Sequence, residues 1–127
     1  MVRAHHSDSH RSTKRLNRKI GSFFIYYVLM PHCYILHSDS VNSFYIGATH
    51  GEVEQRVLKH NSGHYGSKSF TSKASDWKMF LELKAVDYPH AIRMEKHIKK
   101  MKSKVFIQNL KKYPELRKKL FQRTTYT

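Results

Sequence analysis

Glu95 stands where a carboxylate is costly to keep. In a helix advancing 100° per residue it lies about 40° from Ala91 and about 60° from Ile98, inside an apolar stripe of Ala91, Met94, Ile98 and Met101. A buried carboxylate has to be paired or hold a cation. Glu95 therefore either binds an ion or turns to the margin of the stripe, toward solvent or Lys99. Arg56 and His60 are four residues apart and project from one side of a helix. The first offers a rigid fork of donors suited to a phosphate, and the second can donate to phosphate or move a proton. The same pair also fits an ordinary solvated helix face. Tyr34 and Tyr45 fall on two neighbouring strand segments. A phenol titrates near pH ~10 and acts as a base only with help from a cation or an arginine, and these two are expected to gain acidity beside positive charge. Two tyrosines among eight are otherwise ordinary strand residues. Of the histidines, His60 and His64 have ligand spacing, but Asn61-Ser62-Gly63 interrupts the helix between them and no third ligand follows. The one cysteine, Cys33, allows neither an internal disulfide nor a zinc site built on cysteines.

The elements that must position these residues are legible in the pattern. Residues 33–37 and 43–47 are short, aromatic and β-branched, and the cluster 38–42 between them closes a hairpin. A helix is expected to begin at Thr49, with Glu52 and Glu54 in its first turn, Val53, Val57 and Leu58 on its apolar face, and a stop at Asn61-Ser62-Gly63. Residues 62–76 form a polar, basic loop, and 77–86 a third strand. Asp87 is placed to cap a helix over 89–101 with Pro89 in its first turn, and further helices follow over 105–111 and 114–121. The fold class is α+β, a small three-stranded antiparallel sheet flanked by helices.

Charge narrows the partners. The 127 residues carry 24 Lys and Arg against 9 Asp and Glu, a formal charge of +15. Such a surface favours a polyanion, because lysine and arginine contacts to phosphate release condensed counterions. Residues 1–29 hold six of the bases and one acid, which leaves 18 against 8, or +10, for residues 30–127. That leading segment reads as a disordered basic tail or leader, or as sequence ahead of a true start at Met30. Its apolar run, residues 20–30, is too short to span a bilayer. The stretch from Arg93 to Arg123 holds twelve bases and two acids, and it surrounds Glu95.

Together these residues resemble the GIY-YIG nuclease superfamily. Tyr45-Ile46-Gly47 is the second half-motif, and Tyr34 is the retained tyrosine of the first, eleven positions earlier. His32 and Cys33 replace the Gly and Ile of that first half-motif, positions that mainly serve strand packing in the family. The stretch 45–63 is similar to the family's strand, turn and arginine helix. Phe70-Thr71-Ser72-Lys73, Trp77 opening a strand, and residues 93–100 continue the match in order. The similarity covers about residues 31–112. It is nearest to the short standalone bacterial members and to the N-terminal nuclease domain of the excision-repair incision protein.

The resemblance implies a metal-dependent endonuclease acting on DNA, cytoplasmic and bacterial, with residues 30–127 as the nuclease domain and basic C-terminal helices. In that reading Tyr34 assists deprotonation of the attacking water, Tyr45 positions water or the scissile phosphate, and Arg56 holds the phosphate. His60 matches a position used in proton handling, and Glu95 holds a divalent cation, Mg²⁺ or Mn²⁺. Asn109 matches a late asparagine found in some members. No small-molecule cofactor and no stable membrane insertion are implied. The alternative is a catalytically inactive, basic nucleic-acid binding module.

Overall fold

A computed structural model describes residues 30–126. The expectations for residues 1–29 lie outside the described residues. Strands β1 (His32–Ser38), β2 (Ser43–Thr49) and β3 (Lys78–Lys84) form one antiparallel sheet in the order β2-β1-β3. Helix α1 (Val53–Asn61) follows β2, and helices α2 (Tyr88–Met101), α3 (Lys104–Lys112) and α4 (Pro114–Thr124) follow β3. A short 3₁₀ turn, Phe70–Lys73, interrupts the long loop before β3.

Side chains alternate across a strand, so the central strand serves two cores. Cys33 and Ile35 point to one face with Phe44, Ile46 and Ala48, and pack on Ala91, Met94 and Ile98 of α2, with α3 and α4 behind. Tyr34 and Leu36 point to the other face with Tyr45, where Val53, Val57 and Trp77 cover them. Coverage on both faces explains why β1 reads as one apolar run rather than an alternation.

The helix ends follow the sequence signals. Asp87 accepts a hydrogen bond from the backbone N–H of His90 (2.8 Å) and caps α2. Lys102 closes that helix in the left-handed conformation (φ 49°), and Ser103 accepts from Phe106 N–H (3.0 Å) to cap α3. Two members of the basic C-terminal stretch work inside the fold. Arg93 donates to the carbonyls of Thr124 (2.7 Å) and Thr125 (2.5 Å), and Arg117 to those of Leu110 (2.7 Å) and Lys111 (2.8 Å). Among the described residues no helix is long and apolar enough to cross a membrane.

Three details differ from the sequence reading. Thr49 ends β2, and the helix begins at Val53, because the backbone ladder to His32 continues through Thr49. Leu58 is 68% exposed, and Val53, Arg56 and His60 are buried. The 3-and-4 spacing from Val53 through Arg56 to His60 defines the inward face, and Leu58 lies off it. Met101, the last residue of the expected α2 stripe, is 45% exposed at the end of its helix.

Candidate active site

The hairpin register places the two phenols side by side. Tyr45 pairs with Leu36 and Gly47 with Tyr34, so both phenols rise from the same face, with ring centroids 6.2 Å apart. Gly47 makes this possible. A Cβ there would stand 2.6 Å from the Tyr34 hydroxyl and 2.7 Å from Cζ, so only a residue without a side chain lets the ring lie across β2.

Helix α1 brings two polar side chains against the phenols. Arg56 and His60, which a solvated helix face would expose, are both buried. Arg56 Nε donates to the Tyr34 hydroxyl at 3.4 Å, and the same hydroxyl lies 3.2 Å from His60 Nε2. The second ring nitrogen of His60, Nδ1, is 2.7 Å from Thr71 Oγ1. A continuous row results: Arg56, Tyr34, His60, Thr71. With the proton on Nδ1 directed at Thr71, Nε2 accepts from Tyr34; with the other tautomer the directions reverse. The His60 ring also packs on Tyr45 at 4.6 Å between centroids.

Sequence reasoning missed two residues of this group. Thr71 sits in the 3₁₀ turn, held because its carbonyl accepts from the Trp77 indole N–H (2.8 Å). Asn61 ties that indole's own backbone to α1, donating to Trp77 O (2.8 Å) and accepting from Trp77 N–H (2.7 Å). Tyr65 is the other. Its ring centre lies 5.4 Å from the Arg56 guanidinium carbon and 4.7 Å from the His60 ring centre, so it covers Arg56 from the loop side. A threonine and a tyrosine in a polar loop have no periodicity to mark them.

Glu95 comes from α2. It is 3% exposed, and Lys99 Nζ lies 2.6 Å from its carboxylate, one turn along the helix. The side chain is buried within the stripe and is paired there with Lys99, the partner that the second of the two sequence alternatives named. Burial pushes its pKa above the ordinary carboxylate value, against the opposing pull of Lys99, Lys96 and Arg56. The charge on Glu95 in turn helps raise Tyr45. Glu95 thus lies within electrostatic reach of both Arg56 and Tyr45. Glu95 is a single carboxylate donor already paired with Lys99, and among the described residues no group of three or more His, Cys, Asp or Glu side chains could hold a metal. A divalent ion here would therefore have to displace the ammonium and keep most of its own waters.

The phenols do not gain net acidity from the surrounding charge, contrary to the expectation. Burial raises Tyr34 well above the ordinary value and also raises Tyr45, and Arg56 offsets this only in part. Desolvation of a fully enclosed phenolate outweighs one guanidinium. Asn109 lies on α3, partly buried, and its carbonyl accepts from Tyr113 N–H (2.8 Å). The contacts that unite Tyr34, Tyr45, Arg56 and His60 do not include it.

The GIY-YIG catalytic domain model matches residues 30–112. The chain belongs to the GIY-YIG family. No curated protein and no solved structure matches it. The matched span runs from β1 to the end of α3 and contains every residue of the phenol, arginine, histidine and carboxylate group. The GIY-YIG domain is a nuclease-type domain, and family members are generally dependent on divalent metal. In this member the first half-motif keeps only its tyrosine. His32 and Cys33 are both buried in β1, and the Cys33 thiol, raised by burial, packs in the core on the face away from the phenols.

Proposed function

We propose that the protein is an endonuclease that hydrolyses DNA phosphodiester bonds, with Tyr34, Tyr45, Arg56, His60 and Glu95 as its catalytic residues and Glu95 as the ligand of a Mg²⁺ or Mn²⁺ ion. The observation that carries this reading is the buried row of Arg56, Tyr34, His60 and Thr71. A structural core gains nothing from burying a guanidinium and an imidazole against a phenol, whereas phosphoryl chemistry uses all three.

His60 Nε2 accepts the phenolic proton of Tyr34 while Thr71 holds Nδ1–H. Burial disfavours a free Tyr34 phenolate, so this transfer is concerted with Tyr34 taking the proton of the attacking water. Arg56 opposes the charge that builds on the phenol oxygen, and His60 then returns its proton to solvent. A water oxygen attacks phosphorus, its proton passes to Tyr34, the bond to the leaving oxygen breaks, and that oxygen takes a proton from solvent. Tyr45 positions the water or the phosphate. Arg56 also binds the phosphate through the outer nitrogens of its fork and opposes the charge that builds on it. When bound, the divalent ion supplies charge stabilisation at the leaving oxygen. Arg56 has no exposed surface in this conformation and the Tyr65 ring lies against it, so binding a phosphate requires its cover, Tyr65 included, to move. Gly63 and Gly66, at φ 75° and 90°, supply the left-handed backbone on either side of that ring.

Purified protein is expected to nick supercoiled plasmid with Mg²⁺ or Mn²⁺ and not with EDTA. Glu95→Gln and Arg56→Ala are each expected to abolish nicking while leaving a cooperative thermal transition. Equal nicking by the variants would refute the assignment. The Lys99–Glu95 ion pair is the one observation favouring an inactive DNA-binding module, since Lys99 occupies the carboxylate. Salt-dependent DNA binding without turnover in any divalent metal would establish that second reading.

A further inference from the structure

A cavity of about 400 Å³ opens between edge strand β2 and the junction of α2 with α3, on the face of the sheet that α2 covers and opposite the phenols, and Lys99 links it to Glu95. Its floor is apolar, formed by Ile46, Ile98 and Ile107, and its rim carries Lys99, Lys102 and Lys104. We propose that this cavity is a subsite for one unpaired nucleotide of the substrate strand, adjacent to the phosphate being cleaved. The inference rests on the nuclease reading and extends it to the class of substrate.

Position and charge complementarity support that occupant. Lys99 is shared: it pairs with Glu95 and lines the cavity, so the subsite begins one helical turn from the catalytic carboxylate. Lys102 follows about 10 Å from Glu95 along the helix, seven residues at ~1.5 Å each. That span reaches one or two nucleotides along a strand. Lys104 is anchored at the rim, its ammonium donating to the Asn42 carbonyl of the hairpin turn (2.9 Å). The ammonium of Lys102, and that of Lys104 with the donors left beside its bond to Asn42, match backbone phosphates, while Lys99 stays with Glu95 and the isoleucine floor matches a base or sugar taken out of the stack. A paired base lies within its duplex and cannot enter such a cavity without being extruded, so the site favours single-stranded flaps, ends or gaps. A lipid or peptide occupant would need a longer apolar groove or acidic side chains at a fixed spacing.

The test measures binding rather than turnover, so it does not depend on catalysis. Fluorescence anisotropy in EDTA compares a labelled single-stranded oligonucleotide with the blunt duplex of the same sequence. The test variant is Lys102→Gly combined with Lys104→Gln. Glycine suits the left-handed backbone at residue 102 (φ 49°), so the cap of α2 survives. The wild-type chain is expected to bind the single strand more tightly than the duplex. The variant is expected to lose affinity for the single strand severalfold, with its salt slope reduced by about 1.4, or ~0.7 per lost phosphate contact. An unchanged single-strand affinity, or an equal loss on single strand and duplex, would overturn the proposal. A chain that shows the expected binding but cleaves nothing would instead remove the nuclease reading and leave the subsite standing.

Discussion

Replacing Gly47 with alanine tests whether the seat of the Tyr34 ring is what the site depends on. The new Cβ would stand 2.6 Å from the Tyr34 hydroxyl and 2.7 Å from Cζ, where ordinary contact begins at 3.4 Å. The ring must therefore retreat by roughly 0.7–0.8 Å. Tyr34 is fully enclosed, and its hydroxyl is held 3.4 Å from Arg56 Nε and 3.2 Å from His60 Nε2. Overpacking of this kind costs about 1–3 kcal/mol. Gly47 is not at positive φ, so alanine recovers about 0.5–1 kcal/mol of chain entropy. The net expectation is about 0–2.5 kcal/mol of destabilisation, a fall of up to several degrees in Tm. The effect on rate should be larger, because a ~1 Å misplacement of a catalytic group can cost ~100-fold. Plasmid nicking gives kcat, thermal melting gives stability, and a double-mutant cycle identifies the cause. In a Tyr34→Ala background the ring is gone, and Gly47→Ala should then be neutral or slightly stabilising. The same loss of stability in both backgrounds would show that the strain does not come from the Tyr34 ring. Unchanged kcat in the single variant would show that ring position does not limit the reaction.

Three further outcomes follow from the same geometry. Thr71→Val removes the partner of His60 Nδ1 at 2.7 Å and leaves a buried ring nitrogen unpaired, which costs about 1–3 kcal/mol. Its kcat should fall at least tenfold with a displaced pH profile and return with Thr71→Ser, whereas full activity in the valine variant would dismiss Thr71 as a positioning residue. Glu95→Gln should be no less stable than the native chain at pH 7. The folded carboxyl titrates above the ordinary 4.5, so its favourable contribution is complete below that value and is lost as pH rises through the folded pKa. Melting from pH 4 to pH 8 should therefore show the native chain losing ground to the variant, and Mg²⁺ should raise the Tm of the native chain alone; the opposite trend would refute the buried-charge argument. Tyr65→Ala uncovers Arg56 and should lower the KM for DNA, measured by initial rates, while an unchanged KM would mean that the ring does not gate the phosphate.

Local signals along the chain fix which elements form and which side chains share a side of each. The hairpin, the caps at Asp87 and Asn61-Ser62-Gly63, the common side of Arg56 and His60, and the inward position of Glu95 are products of local chemistry and of the two backbone periods. Those signals reach only a few residues along the chain. The tertiary structure decided what each inward side chain meets. It set Leu58 in solvent, joined Thr71 and Tyr65 from a patternless loop to His60 and Arg56, and gave Lys99 to both Glu95 and the neighbouring cavity. It also raised the phenols that sequence reasoning made more acidic. Desolvation and contacts between distant segments exist only after the sheet and helices close on one another, and no periodicity along the chain encodes them.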